Sequence, residues 1–169
     1  GIIPAYAAFF GLDDVRLRHA RFDGTMTPEI DRAVLISSDA AIVLPYDPVR
    51  DRVLLVEQIR MGPVMRDDAA QWQLEPVAGL VDAGETPEQS ARREALEEAG
   101  LNLGALAPVA EVYASPGNST GFYYIYVAIA DLPDGMEEPG GLDAEHEDIR
   151  SHLLSFEALM ALVDDRRAA

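Results

Sequence analysis

The feature that most constrains this chain is the stretch GLVDAGETPEQSARREALEEAGL, residues 79–101, in which a loop leads into a short acidic helix. Thr86 is suited to cap the helix, Pro87 to occupy its first position, and Gln89 to complete a capping box with Thr86. Gly100 is a typical residue at a helix end. The stretch therefore predicts a helix whose start and end are both encoded locally.

This helix carries three carboxylates on one flank. Glu94 and Glu98 are four residues apart, and Glu97 lies beside them. Two like charges about 5 Å apart repel by roughly 3 kcal/mol at an effective dielectric near 20, so the cluster favours a bound cation. A solvated acidic face is the alternative for an isolated pair of glutamates. Oxygen ligands indicate Mg²⁺ or Mn²⁺ as the cation.

The same stretch resembles the Nudix box, the signature of hydrolases that cleave a nucleoside diphosphate linked to another moiety. The resemblance implies that Glu94 and Glu98 are the main metal ligands, with Glu97 assisting and the carbonyl of Ala78 completing the site. Two or three Mg²⁺ ions, or Mn²⁺, are implied. The matching positions are Gly79, Glu85, Arg93, Glu94, Ala95, Leu96, Glu97, Glu98, Ala99, Gly100 and Leu101.

Two further box residues are implied to act through the ligands. Arg93 and Glu85 would pair with each other and orient the metal-binding carboxylates. For Glu85, a plain role at the junction of loop and helix is an alternative.

Composition excludes several classes of protein. The 169 residues suffice for one domain with a substantial core, and no apolar run approaches the roughly 18 residues of a membrane span. A net charge of −17 argues against a sequence-independent grip on nucleic acid, so a polyanionic substrate needs metal ions. The absence of cysteine excludes disulfides and is typical of a cytoplasmic protein. No signal-peptide pattern opens the chain, and an upstream segment stays open.

Residues 1–37 predict a small antiparallel sheet. Val15–Phe22 alternates like a strand with one wet face, Asp23-Gly24 indicates a turn, and Ile30–Ile36 is typical of a returning strand. A sheet of this size is not stable alone, so we expect it to pack on residues 38–169 or on another copy of the chain.

The remainder of the chain predicts strands with helices against them. A polar loop at 62–71 and a long acidic loop at 131–148 interrupt the pattern. The prediction is an α/β (α+β) fold, and the Nudix resemblance implies an α/β/α sandwich with a mixed sheet. The predicted elements are strands at 39–46, 52–59, 107–114, 122–130 and 149–154, and a closing helix capped by Ser155.

Segments outside the box resemble the ADP-ribose pyrophosphatase subfamily. Pro116, fifteen residues after Leu101, resembles the subfamily's marker proline, and LPYDPVRDRVLLVEQIR, LEPVAGLVDAGE and GLDAEHEDIR resemble it too. The resemblance implies Mg²⁺-dependent hydrolysis of ADP-ribose to AMP and ribose 5-phosphate. Two alternatives stay open, a nucleotide-sugar pyrophosphatase acting, for example, on GDP-mannose, and a non-catalytic nucleotide sensor.

Substrate-binding residues follow from the same resemblance. Arg32 and Arg60 would hold the substrate, since the planar fork of arginine binds two diphosphate oxygens at once. Phe9 would stack on adenine, and Pro116 and Gly117 would also bind substrate. A core or interface role for Phe9 and a surface ion pair for Arg60 are the alternatives. The resemblance also implies a homodimer in which the N-terminal sheet is exchanged.

The acidic loop carries the implied general base. Glu145 is implied as this base and Glu147 as an additional metal ligand, because a mobile carboxylate can reach a water once substrate is bound. His146 is the rival base, since imidazole titrates near neutrality. One departure concerns Gly121, where many members of the subfamily carry glutamate, and it bears on recognition of the distal ribose.

Overall fold

A computed structural model describes residues 1–136, 139–142 and 146–165. Contacts divide the chain into two compact units, Gly1–Ala40 with Glu111–Tyr123 and Ala41–Ala110 with Tyr124–Ala169. None of the helices in the described part of the chain is long and apolar enough to cross a membrane. The predicted boundary after residue 37 stays a prediction.

The first unit contains a three-stranded antiparallel sheet in the order β1-β2-β3. Its strands are β1 (Ile2–Ala7), β2 (Gly11–Leu17) and β3 (Ile30–Ile36). The predicted strand Val15–Phe22 is wrong in its bounds, because β2 starts earlier and ends at Leu17. The turn at Asp23-Gly24 is confirmed, and its glycine has a φ of +82°.

The second unit is built on a larger sheet. Its strands follow the order β10-β11-β5-β4-β9-β8, with β6 paired to β5 and β7 paired to β4. Residues 111–123, at the tip of the β8–β9 hairpin, belong to the first unit. The strands are β4 (Ala40–Asp47), β5 (Arg52–Ile59), β6 (Trp72–Glu75), β7 (Val77–Leu80), β8 (Leu106–Tyr113), β9 (Phe122–Ile129), β10 (Pro139–Gly140) and β11 (Ile149–Ser155).

Helices cover both faces of this sheet. The helices are α1 (Met61–Met65), α2 (Pro87–Ala99) and α3 (Phe156–Asp164). Because side chains alternate along a strand, Leu54 and Val56 of β5 pack in one cluster with Ala91 and Ala95 of α2. Leu159 of α3 packs with the intervening β5 residues on the other face. The α/β/α sandwich with a mixed sheet is therefore confirmed.

Helix α1 corrects the predicted loop at 62–71. The helix has five residues, begins after Arg60 and has no capping hydrogen bond from a side chain. Since its start lacks the capping chemistry that identifies α2, the sequence pattern misses it. Pro76 separates β6 from β7, which agrees with its expected place at a strand edge.

Candidate active site

Both ends of α2 are fixed as the sequence predicts. The hydroxyl of Thr86 accepts a hydrogen bond from the Gln89 backbone N–H at 3.2 Å, and the Gln89 side chain accepts from the Thr86 N–H at 2.8 Å. Gly100 ends the helix with a φ of 63°. The capping box and the left-handed end set where α2 begins and ends.

Helix α2 lies directly against β7. A Cβ atom at Gly79 would lie 1.8 Å from a carboxylate oxygen of Glu94, so only glycine leaves room for that side chain. The Ser90 hydroxyl donates to the Leu80 carbonyl at 3.0 Å and ties the helix to the strand. The box glycine therefore seats one candidate ligand on the strand backbone.

Glu98 is the most deeply buried carboxylate of the cluster, with 2% of its surface exposed. Its two oxygens accept hydrogen bonds from the Gln58 amide at 3.2 Å and from the Ala78 N–H at 3.3 Å. Burial raises the pKa of Glu98 to about 8, and the charge of Glu94 adds to the rise, while the two donors offset only part of it. The site thus holds a buried carboxyl group whose charged form is costly.

Arg93 contacts three further carboxylates, one in the loop before α2 and two on the helix. Its guanidinium donates to both oxygens of Glu85 at 3.0 Å. Its Nη1 also donates to Glu94 at 2.6 Å and to Glu97 at 3.0 Å, and Nη2 donates to the carbonyl of Leu80. One planar cation therefore fixes three glutamates relative to β7, as expected for the box arginine and Glu85.

The carboxylates that Arg93 contacts differ in pKa because they differ in environment. Hydrogen bonding to Arg93 holds the pKa of Glu85 below its ordinary value. Burial raises the pKa of Glu94 despite Arg93, and the charges of Glu97 and Glu147 add to the rise. The Gly141 N–H donates to the Glu97 carbonyl at 3.1 Å, which places this part of the acidic loop against α2.

The donor set fits a divalent cation. All of its groups are hard oxygens, and a cation would favour the charged forms that burial disfavours at Glu94 and Glu98. Within the described residues, no group of three or more His, Asp or Glu side chains is already arranged to hold a metal ion. In this arrangement Nη1 of Arg93 takes up oxygens of Glu94 and Glu97.

Arg60, at the end of β5, makes an ion pair with Glu75. Its Nη2 lies 2.5 Å from a Glu75 oxygen, and 39% of its side chain is exposed. The ion pair expected as the alternative is present, although a partly exposed guanidinium still has donors available. Its positive charge also lowers the pKa of Glu98, although burial outweighs it.

The acidic loop is described on both sides of the implied base. The Leu142 N–H donates to Glu147 at 3.0 Å, which closes the loop on itself. His146 is exposed, with a φ of 57°. Glu145 lies outside the described residues.

The remaining predicted substrate residues lie in the first unit. Phe9 is 79% exposed and meets Phe10 edge to face, with ring centroids 4.8 Å apart. Arg32 donates to the Asp31 carbonyl, while Pro116 and Gly117 are exposed in the β8–β9 turn. At Gly121 an added Cβ would lie in ordinary contact with neighbouring serines at 3.4 to 3.6 Å.

Sequence reasoning missed three residues that touch the site. They are Gln58, Glu75 and Gly140, where a Cβ would come within 1.9 Å of the Glu98 carbonyl. Gln58 gives the clearest signal, because it continues the core-facing alternation of Leu54 and Val56 with a polar side chain. The other two depend on contacts between distant segments.

Comparison with known families agrees with this geometry. A model of the NUDIX domain matches residues 37–169. The chain belongs to the Nudix family. Nudix enzymes of this kind generally use divalent metal ions.

Curated relatives extend over nearly the whole chain. An ADP-ribose pyrophosphatase of Escherichia coli K12 is 42% identical over 160 residues, covering 95% of this chain and 76% of that protein. One of Haemophilus influenzae is 36% identical, covering 90% and 70%. A GDP-mannose pyrophosphatase of Yersinia pestis is 33% identical, covering 86% and 71%.

A solved structure shares the Nudix fold of this chain. The crystal structure of an ADP compounds hydrolase superposes with a TM-score of 0.67 at 19% identity, covering 97% of this chain and 80% of that one. At that identity the likeness concerns the fold.

Proposed function

We propose that this Nudix protein hydrolyses the diphosphate bond of ADP-ribose, in a reaction that depends on divalent metal ions and yields AMP and ribose 5-phosphate. The observation that carries the proposal is the carboxylate cluster of α2, in which Glu94 and Glu98 are seated on β7 beside Arg93. The ADP-ribose pyrophosphatases at 36% to 42% identity support this substrate.

The proposed metal ligands are Glu94, Glu97 and Glu98 with the carbonyl of Ala78, and Glu147 from the acidic loop. Two or three Mg²⁺ ions, or Mn²⁺, would neutralise the diphosphate and stabilise the charge that develops at phosphorus. Binding through cations also lets a chain of net charge −17 accept an anionic substrate. The oxygen donors and the raised pKa values of Glu94 and Glu98 support the assignment.

Arg93 and Glu85 would hold the ligands in place during turnover. The bidentate pair at 3.0 Å fixes the guanidinium, and its Nη1 reaches the carboxylates of Glu94 and Glu97. A ligand set held by such contacts loses little entropy when it binds cations. Arg93 is thus proposed as a positioning residue.

Proton removal from the attacking water is assigned to Glu145. Glu147, whose carboxylate already accepts the Leu142 N–H, is proposed instead as a ligand. His146 is the rival base. Replacing Glu145 and His146 in turn by an isosteric neutral residue distinguishes the two candidates. Loss of the acidic limb of the pH–rate profile in the Glu145→Gln variant alone supports the assignment.

Substrate contacts are proposed for Arg60, Arg32, Phe9, Pro116 and Gly117. The exposure of Phe9 and of the Pro116-Gly117 turn leaves these groups available to a ligand. For Arg60, a guanidinium already oriented by Glu75 supports diphosphate binding.

A homodimer and a cytoplasmic location complete the proposal. Apolar side chains of the first unit support the dimer, since Ile2, Ile3 and Tyr6 of β1 are each more than 60% exposed. Sedimentation equilibrium tests the homodimer, and a monomer at micromolar concentration would contradict it.

A nucleotide-sugar pyrophosphatase is the second candidate, favoured by the GDP-mannose pyrophosphatase at 33% identity. The deciding experiment measures Mg²⁺-dependent hydrolysis of ADP-ribose, GDP-mannose, NADH and diadenosine polyphosphates, with products identified by mass spectrometry. We expect AMP and ribose 5-phosphate to form fastest, from ADP-ribose. Faster turnover of GDP-mannose would favour the second candidate, and binding without turnover would favour a sensor.

A further inference from the structure

We infer that Gln58 is a positioning residue, whose side-chain amide holds the carboxylate of Glu98 in the orientation in which it binds a divalent cation. The inference rests on the proposed function, in which Glu98 is a metal ligand. The observation behind it is a buried side-chain contact between β5 and α2 that joins residues 40 positions apart.

The contact is one half of a two-point clamp. The Gln58 amide nitrogen donates to Oε1 of Glu98 at 3.2 Å, and the Ala78 N–H donates to Oε2 at 3.3 Å. One donor comes from β5 and the other from β7, so the plane of the carboxylate is fixed from two strands. The rotation of a carboxyl group about its last bond is otherwise broad, which makes such a clamp effective.

Both donors of the clamp are electrically neutral, which distinguishes Glu98 from the other carboxylates of the helix. Arg93 donates to Glu85, Glu94 and Glu97 with a charged guanidinium. An amide orients a carboxylate without cancelling its charge, so the full charge stays available to a cation.

Gln58 is held firmly enough to act in this way. The residue is only 8% exposed and follows, in the alternation of β5, Leu54 and Val56, which pack with Ala91 and Ala95 of α2. A buried amide needs a partner, and the Glu98 carboxylate supplies one. Burial of both groups excludes bulk water as a substitute donor.

The test uses the metal alone as probe. Mn²⁺ binding is measured by calorimetry in the Gln58→Met variant, which keeps the length and volume of the side chain and removes the donor. We expect its dissociation constant to rise about 10- to 100-fold, the usual cost of losing a contact to a metal ligand. We also expect the rate of ADP-ribose hydrolysis to recover when Mg²⁺ is raised, which a merely structural defect would not show.

Gln73 offers a matched control. It lies directly opposite Gln58 on β6, and its amide donates to the Ala70 carbonyl instead of to a carboxylate of α2. Gln73→Met should leave the Mn²⁺ dissociation constant within about twofold of wild type, as expected for a residue outside a metal site. An equal loss in both variants would overturn the inference.

A second variant keeps the test decisive if Gln58→Met folds poorly. Gln58→Asn keeps an amide but is one methylene shorter, so its donor is withdrawn from Glu98, and the same loss of affinity is expected. Wild-type affinity in a folded variant of either kind contradicts the role of Gln58. Glu98→Gln, measured in parallel, distinguishes failure of the role of Gln58 from failure of the proposed function. Wild-type affinity in Glu98→Gln would overturn the assignment of Glu98 as a metal ligand.

Discussion

Two carboxylates of the second unit are equally buried and have opposite properties. Asp47, at the end of β4, is 1% exposed, and Glu98 on α2 is 2% exposed. The oxygens of Asp47 accept from the guanidinium of Arg50 at 2.5 Å and from the backbone N–H groups of Val49, Arg50 and Leu132. Glu98 accepts from two neutral donors.

The pKa values follow from this difference. Burial pushes the pKa of Asp47 upward, but its hydrogen bonds together outweigh burial and hold the pKa well below the ordinary value. For Glu98 burial wins and raises the pKa to about 8. A buried carboxylate with a full set of donors thus serves the fold, whereas one left short of donors is available to a cation.

The largest effect is expected at Glu98, the buried carboxylate with fewer hydrogen-bond donors. Glu98→Gln should lower the rate of ADP-ribose hydrolysis by about a thousandfold or more, because catalytic metals contribute several kcal/mol to barrier lowering. Circular dichroism should show an unchanged fold. Turnover within tenfold of wild type would remove Glu98 from the ligand set.

The next effect concerns Arg93, which connects Glu85 to the ligands. Arg93→Lys keeps the charge but loses the planar fork, so we expect turnover and metal affinity to fall about 10- to 100-fold. Steady-state kinetics at several Mg²⁺ concentrations measure both. If the lysine variant equals wild type, the bidentate geometry has no role in orienting Glu94 and Glu97.

Replacing Asp47, the buried carboxylate with a full set of donors, should affect stability instead of activity. Asp47→Asn removes one of the two carboxylates that Arg50 contacts, the other being Asp131, and a hydrogen bond that joins the β4 turn to Leu132. The melting temperature should therefore fall by several degrees. The rate per folded molecule should stay unchanged. Loss of turnover in a variant that is still folded at the assay temperature would break the contrast.

The two carboxylates should also give opposite slopes of stability with pH. The folded pKa of Asp47 is depressed, so its stabilisation is present above its ordinary value of 3.8 and is lost as the pH falls below it. Glu98 is protonated in the metal-free folded state up to about pH 8, above its ordinary value of 4.5, so stability falls as the pH rises between those values.

Melting curves of the metal-free protein check both slopes. As the pH rises from 3 to 5, the melting temperature of wild type should increase relative to that of Asp47→Asn. As the pH rises from about 5 to 8, the melting temperature of Glu98→Gln should increase relative to that of wild type. Parallel curves for wild type and Glu98→Gln would show that Glu98 ionises freely, which contradicts the raised pKa.

The smallest effect is expected at an ion pair on the same helix that lies away from the ligands. Arg92 and Glu88 form an i,i+4 pair at 2.9 Å, and both side chains are more than a third exposed. Glu88→Gln should change the free energy of unfolding by about 0.5 kcal/mol or less and leave turnover unchanged. Chemical denaturation measures the free energy of unfolding. A large change in that free energy or in turnover would show that exposure does not distinguish the Glu88–Arg92 pair from the proposed metal ligands.

The sequence predicts those features that local chemistry encodes. The capping box of Thr86 and Gln89 and the glycine end of α2 lie within fifteen residues, so their outcome needs no knowledge of the fold. The break between the predicted strands at 39–46 and 52–59 is also local, and the structure has a turn there, after β4. The hydrogen bond that Asp47 accepts from Leu132 is not predicted, because Leu132 lies 85 positions further along the chain.

Contacts between distant segments account for what sequence reasoning missed. The carboxylates of α2 are visible as a pattern, but the amide that orients Glu98 lies on β5, 40 residues away. Glu75 meets Arg60 only because β6 pairs with β5. The packing of α2 on the sheet decides the first contact and strand register the second, and a residue pattern within one segment contains neither.

The central claim is that carboxylates of α2 bring divalent cations to the diphosphate of ADP-ribose. The most direct test follows the rate of ADP-ribose hydrolysis as Mg²⁺ is titrated into the metal-free protein, for wild type and Glu98→Gln side by side. We predict AMP and ribose 5-phosphate only when Mg²⁺ is present, with a saturable rise in wild type and almost none in the variant. Hydrolysis that persists in excess chelator, or an equal rise in both proteins, would contradict the claim.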